Sequence, residues 1–365
     1  MEHHGVGRGL IGSRGRARLV ALVAAVTLTA GPAVVLDATS ATSASAGPKG
    51  YTTLLSQPES EELTCQLASV DLGAGGAVTP IGPSFTNSIE GCPVDLAIRA
   101  GDARVWAVVQ PCPVGVACRA STSAALGLPL PGATANDEPA PAADGPAAAA
   151  LPSAVLVTID PTTGVRTPVG VNGSLGVPAV IGEGGALAFD AAGTLWFYGF
   201  TLDTRCDPGP EPAQCFYRLD TATGAATFVA KGPQFVIAPA DLVIGATASC
   251  ENVLANVLTI LDRGMLGGEA LNTVNTTTGA LTPRPNTYGS TFMRGLERDA
   301  AGTLWGIGNP DLAADPEATF TIDPVTGAAT KVADLTLPSP EDDQLLGLAI
   351  AGLVCPVEIA PRFTG

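Results

Sequence analysis

Two neighbouring stretches decide the fold: Ala186-Leu-Ala-Phe-Asp-Ala-Ala-Gly-Thr-Leu-Trp-Phe-Tyr-Gly199, and then Phe216-Tyr-Arg-Leu-Asp-Thr-Ala-Thr-Gly-Ala-Ala-Thr-Phe-Val-Ala-Lys-Gly232. In each, an apolar run ends in Asp, a short turn carries Gly, and a second apolar run follows. Alternating positions such as Leu187, Phe189 and Leu195 mark half-buried strands. A glycine at the turn supplies the positive φ that a tight reversal needs. The aspartate before it suits capping of the turn amides. Each stretch therefore reads as a β-hairpin.

Both hairpins recur along the chain. The Thr-Gly type returns as LVTIDPTTGVRTPVG at 156–170, LNTVNTTTGALTPRP at 271–285 and TFTIDPVTGAATKVADL at 319–335. LASVDLGAGGAVTPIG at 67–82 is a diverged copy. The Gly-Thr-Leu-Trp type returns as GLERDAAGTLWGIG at 295–308, with looser copies at 95–109 and 241–258 and a truncated one at 347–359. The two types alternate. One of each gives four antiparallel strands in about 50–60 residues, the content of a β-propeller blade. The expected fold is all-β: a propeller of five blades, each of four antiparallel strands. Residues 345–359 are expected to pair with 63–82 and close the ring, which removes open sheet edges. A β-sandwich of short strands is the alternative, but it leaves the repeat unexplained.

The flanks carry different signals. Residues 1–18 hold Arg8, Arg14, Arg16 and Arg18, and Leu19 to Leu36 is mostly apolar. A small-residue stretch ending Ala44-Ser45-Ala46 follows. These are the parts of a secretory signal, so residues 1–46 are assigned as one. The apolar run is just long enough to act instead as an uncleaved anchor. Residues 47–62 read as a polar lead-in, 63–359 as the propeller and 360–365 as a tail. Residues 119–153, rich in Ala and Pro without periodicity, read as a disordered loop inserted in the second blade. No later segment is apolar enough to span a bilayer, so no membrane span is expected after cleavage. The expected location is outside the cell or in the cell envelope, as a monomer.

Composition narrows the chemistry. The 365 residues include 44 glycines and 31 prolines, about a fifth of the chain, which argues against a helical bundle. The net charge is −16. Removing residues 1–46 takes away four arginines and two acids, leaving 14 basic against 32 acidic residues, a net −18. Such a chain is a poor partner for nucleic acid. The only two histidines, His3 and His4, lie in the signal, so nucleophilic sites built on a histidine base are excluded for the mature chain.

All eight cysteines fall after residue 46, as suits disulfides in an exported chain. Cys112 with Cys118, and Cys206 with Cys215, are close enough to close small rings. Cys65, Cys92, Cys250 and Cys355 leave three pairings open.

At the repeat residues, from Leu63 to Ile359, the chain resembles secreted bacterial propellers with repeats of the LAFDPDGTLW and LYRIDPATGAATLVG kind. More distantly it resembles NHL-like and regucalcin/gluconolactonase-like propellers. The second resemblance implies a divalent cation held by carboxylates in the central channel. Asp95 and Asp241 occupy one repeat position, before an innermost strand, where the other copies have Ala186, Gly295 and Gly347. They are the candidate ligands for Ca²⁺, which takes oxygen donors. Asn87, Glu90, Glu183 and Glu297 are further donors in the same regions. The plainer reading is that Asp95 and Asp241 cap strands, and that Trp106, Trp196 and Trp305 pack between blades. The function expected is a non-enzymatic module that binds a protein, glycan or small ligand, or serves as a scaffold, with no cofactor. The alternative is a Ca²⁺-dependent lactonase-like hydrolase.

Overall fold

A computed structural model describes residues 47–56, 62–110, 153–170, 174–177, 180–190, 192–201, 203–209, 213–232, 236–244, 253–261, 265–288, 291–310, 316–340 and 343–351. The expected signal, the Ala/Pro-rich loop and the tail lie outside these residues. So do Cys112, Cys118, Cys250 and Cys355.

The chain opens with β1 (Lys49–Ser56), β2 (Thr64–Asp71), the two-residue β3 (Gly76–Ala77) and β4 (Thr79–Thr86), then one helical turn, α1 (Asn87–Glu90). Next come β5 (Cys92–Ile98), β6 (Val105–Gln110), β7 (Val155–Ile159) and β8 (Arg166–Pro168). They are followed by β9 (Val180–Phe189), β10 (Leu195–Thr201), β11 (Ala213–Leu219) and β12 (Ala226–Lys231). A further four are β13 (Val236–Ile244), β14 (Val253–Leu261), β15 (Met265–Val274) and β16 (Leu281–Thr287). The last five are β17 (Phe292–Arg298), β18 (Leu304–Asn309), β19 (Ala318–Ile322), β20 (Ala329–Thr336) and β21 (Asp343–Ile350).

These strands form a propeller-like arrangement of small antiparallel sheets. Sheets β5-β6-β7-β8, β9-β10-β11-β12 and β13-β14-β15-β16 are each two successive hairpins, as the alternating repeats dictate. Their innermost strands and those of the remaining two sheets touch in sequence: β21 against β5, β5 against β9, β9 against β13, β13 against β17, β17 against β21.

Two features correct the sequence reading. First, among the described residues four sheets have four strands, but the sheet of β17–β20 has a fifth. Its extra strand is β3, which runs parallel to β20 through Leu335 and Gly76 and through Thr336 and Ala77. Five uniform blades of four antiparallel strands are thus not what the chain builds. Second, the closing sheet has the order β21-β1-β2-β4. Among the described residues a single C-terminal strand enters it, and the second place is taken by Lys49–Ser56, inside the stretch read as a polar lead-in. β1 pairs with β2 along its whole length and with β21 on its other side. Its Leu54 and Leu55 are buried, and this apolar content secures the strand although no repeat motif marks it.

The repeat turns behave as their chemistry requires. Asp220 Oδ1 accepts the backbone amides of Ala222 (2.8 Å) and Thr223 (3.1 Å), and Gly224 has φ 83°. Asp160, Asn275 and Asp323 make the same pair of bonds in their own turns.

The other hairpin uses its aspartate twice. Asp190 Oδ1 takes the Thr194 amide, while Oδ2 takes the Trp196 indole N–H at 2.8 Å. Asp299 repeats this with Thr303 and Trp305. Each tryptophan is thereby steered into a core shared by two sheets. Trp106 packs with Leu187 and Phe189 of the next sheet, Trp196 with Val274, and Trp305 with Leu345 and Leu348.

Disulfides join Cys65 to Cys92 and Cys206 to Cys215. The first ties β2 of the closing sheet to β5 of the next, and it selects one of the three pairings left open by the sequence.

Candidate functional site

The innermost strands place Asp95 on β5 at the middle of the ring, with none of its surface exposed. Its two carboxylate oxygens have separate tasks. Oδ1 accepts the amide of Leu96 at 2.7 Å. Oδ2 accepts the amide of Leu187, on β9 of the neighbouring sheet, at 2.6 Å.

On the other side lies Gly347 of β21, with φ 66°. A Cβ there would stand 2.5 Å from Asp95 Oδ1. Glycine is required at 347 for both reasons: the left-handed backbone and the room given to the carboxylate. Gly295 of β17 is similarly crowded, because a Cβ would come within 2.7 Å of the Gly347 carbonyl carbon. The repeat position that holds Asp in two copies and Gly in two others is thus a close-approach position. Asp95 fills space left by Gly347 and bolts β5 to β9.

Glu297, two residues along β17 from Gly295, is buried beside this point. Its Oε1 accepts the Arg298 amide at 2.8 Å. Burial raises its pKa to about 8, and the neighbouring Asp95 carboxylate adds to the rise. Glu297 is therefore largely protonated at neutral pH.

Glu297 is brought to Asp95. Asp241 lies on β13, in register with Asn256, and only its backbone is described. The same holds for Glu183 on β9. Asn87 and Glu90 belong to α1, where Asn87 Oδ1 accepts the Cys92 amide and Glu90 Oε2 the Thr86 amide. Among the described residues no group of three His, Cys, Asp or Glu side chains is placed to hold a metal ion.

A second feature lay outside the sequence reading. Between the closing sheet and the second sheet opens a cleft of about 360 Å³. Pro83 and Phe85 of β4 and Glu90 of α1 line one side, and Val109, Val155, Val157, Val165 and Pro168 the other. Arg166 of β8 enters it, with its guanidinium 3.5 Å from the Phe85 ring centre. Nη1 donates to the Gly91 carbonyl at 2.7 Å, and Nη2 lies 3.5 Å from Cys65 Sγ. Nε is buried and has no acceptor. Burial lowers the guanidinium pKa to about 10. No signal in the repeat marks Arg166, since other copies carry Ala226, Leu281 and Ala329 at the same strand start.

No family model matches the chain, and no curated protein matches it. Solved structures do. One is a protein of unknown function from Dyadobacter fermentans, at 10% identity and TM-score 0.42, covering 79% of this chain and 84% of that one. Another is an endo-arabinase from Bacteroides thetaiotaomicron, at 11% identity and TM-score 0.41, covering 76% and 94%. A third is the β-propeller domain of the Trilobed protease from Pyrococcus furiosus, at 9% identity and TM-score 0.30, covering 76% and 66%. These are likenesses of sheet arrangement and carry no argument about activity.

Proposed function

We propose that the chain is an exported, non-enzymatic propeller that acts as a monomeric binding or scaffold module outside the cell or in its envelope. The observation that supports this is the engagement of Asp95. Both carboxylate oxygens accept backbone amides, one of them across two sheets. The residue that resemblance offers as a cation ligand serves as a strut. Its neighbour Glu297 is buried, with Oε1 accepting the Arg298 amide. The two disulfides are consistent with an oxidising compartment, and no described helix is long and apolar enough to cross a membrane.

The competing reading is a lactonase-like hydrolase with Ca²⁺ at Asp95 and Asp241. It requires Asp95 to reach the ion through the lone pairs that its two amide bonds leave, and Glu297 to ionise or stand aside. The two readings separate in one experiment. Thermal melting and hydrolysis of a panel of γ- and δ-lactones are measured in millimolar Ca²⁺ and in EGTA. The expected result is an unchanged melting point and no turnover. A melting point raised by Ca²⁺, or turnover abolished by EGTA, overturns the proposal.

A further inference from the structure

One Thr-Gly turn departs from its counterparts at the capping residue. Where three turns carry Asp160, Asp220 and Asp323, the turn before β16 carries Asn275. The fold makes no use of the difference. Asn275 Oδ1 accepts the amides of Thr277 at 2.9 Å and Thr278 at 3.0 Å, as the aspartates do in their own turns. The Thr278 hydroxyl accepts the amide two residues on, as those of Thr163, Thr223 and Thr326 do. Thr277 has no such duty, and its place is held elsewhere by Thr162, Ala222 and Val325.

What asparagine adds is a nitrogen. Oδ1 must face the two amides that donate to it, so Nδ2 is turned away from the turn backbone. Asn275 and Thr277 are both exposed. Asn275-Thr-Thr277 is thus an Asn-x-Thr triplet without an internal proline, set on a surface turn, which is the context that an N-glycosylation acceptor requires. Asp160-Pro-Thr162 has the threonine but lacks the nitrogen and carries the excluded proline.

The geometry also suits the bond-forming step. Nδ2 joins to C1 of a sugar carried on a lipid-linked diphosphate. The C1–O bond to phosphate breaks, the diphosphate leaves with the bonding electrons, and Nδ2 gives one proton to a base of the transferase. Charge that develops on the amide as this proton leaves falls largely on Oδ1. The Thr277 and Thr278 N–H groups already point there, as preorganised donors.

We infer that the Asn275 turn is an acceptor site for an N-linked glycan, transferred to Nδ2 from a lipid-linked glycosyl diphosphate. This rests on the reading of the chain as exported.

The test uses the purified, folded full chain, a single-subunit transferase that reads Asn-x-Ser/Thr, and a lipid-linked chitobiosyl diphosphate. Intact mass counts the sugars added, and peptide mapping separates Asn275 from the other such triplet, Asn172-Gly-Ser174. A glycan is expected on Asn275. Asn275→Asp gives the turn the residue of its counterparts, so it should melt as wild type does and lose the glycan. Thr277→Ala should lose it as well, and Thr277→Ser should keep it. Asp220→Asn combined with Ala222→Thr builds the same triplet in another turn and should add a glycan at position 220.

The inference is overturned if Asn275 stays bare in the folded chain, if it is modified only after unfolding in urea, or if Thr277→Ala is modified as fully as wild type. Export is read separately, by secretion of the chain from cells. A chain retained inside sinks the export reading, whereas a secreted chain left bare at Asn275 by the transferase sinks this site alone.

Discussion

Carboxylates at the rim of this molecule and at its axis do the same job by opposite electrostatics. Asp160, Asp220 and Asp323 sit exposed in the Thr-Gly turns, and two backbone amides apiece hold their pKa values below the usual aspartate range. At the axis, Asp95 also accepts two amides but has no exposed surface, and next to it burial pushes Glu297 up to about 8. At the rim, water solvates whatever the turn does not, so losing a bond is cheap. At the axis nothing replaces a lost partner. The repeat thus places its least replaceable carboxyl groups where the inner strands converge.

The largest effect should come from breaking the axis. Asp95→Ala leaves the Leu96 and Leu187 amides buried without acceptors. At about 1–3 kcal/mol for each orphaned group, the expected loss is roughly 2–5 kcal/mol. Urea unfolding of Asp95→Ala and Asp95→Asn measures it, and the asparagine, which keeps one acceptor oxygen, should lose less. An alanine variant as stable as wild type would reduce the strut to a bystander.

Glu297 gives the next effect, and it has a sign. Its folded pKa lies above the ordinary glutamate value, so the native state binds the proton more tightly than the unfolded chain. Its contribution is complete below about pH 4.5 and is lost progressively as pH rises towards 8. If the whole shift is expressed, this amounts to on the order of 3–5 kcal/mol across that window. The rim aspartates run the other way: their contribution is present above about pH 4 and fades as pH falls below it. Melting points measured from pH 4 to 9 should therefore fall towards alkali, and Glu297→Gln should flatten the slope specifically between pH 5 and 8. A slope unchanged in the glutamine variant would assign it to the general acid excess instead.

Much of this contrast was visible in the sequence, and the reasons for the rest are physical. The turns and the tryptophans were legible because one local geometry recurs and demands the same residues: Asp to accept amides, Gly for positive φ, Trp to reach the aspartate's second oxygen. β1 was missed because Lys49-Gly-Tyr-Thr-Thr-Leu-Leu-Ser56 carries no repeat turn; it owes its place to two neighbouring strands far away in sequence. β3 is two residues long and pairs only because β20 passes by. Glu297 replaces the small or aliphatic residue found at Ala97, Ala188 and Ala349, a substitution that looks like surface variation until the inner strands are brought together. Arg166 lies at a variable strand start, and its cleft exists only between two sheets. The Cys65–Cys92 pairing likewise depends on the adjacency of those sheets, which spacing alone does not disclose.

Between rim and axis stands the Asp–Trp pair. Asp299 is nearly buried, and its Oδ2 takes the Trp305 indole at 2.8 Å. Asp299→Asn keeps the shape and one acceptor for the turn amides, but sets an NH₂ group against the indole N–H. A loss of about 1–3 kcal/mol is expected, with the tryptophan fluorescence shifted as its ring leaves the shared core. Asp190→Asn should do the same at Trp196. If both variants match wild type in denaturant midpoint, the tryptophans are held by packing alone.

The smallest effect belongs to the rim itself. Asp220→Ala removes the acceptor for the Ala222 and Thr223 amides, but both are exposed and water takes its place. The turn also keeps Gly224 and the bond from its amide to the Asp220 carbonyl, neither of which needs the side chain. A fall in melting point of about 1–2 °C is expected. Because Asp160, Asp220 and Asp323 occupy separate sheets with no shared partner, the triple alanine variant should lose close to the sum of the three single losses. A triple loss far above that sum would mean that the rim turns act together through the ring, and that the axis is not the only place where the sheets are coupled.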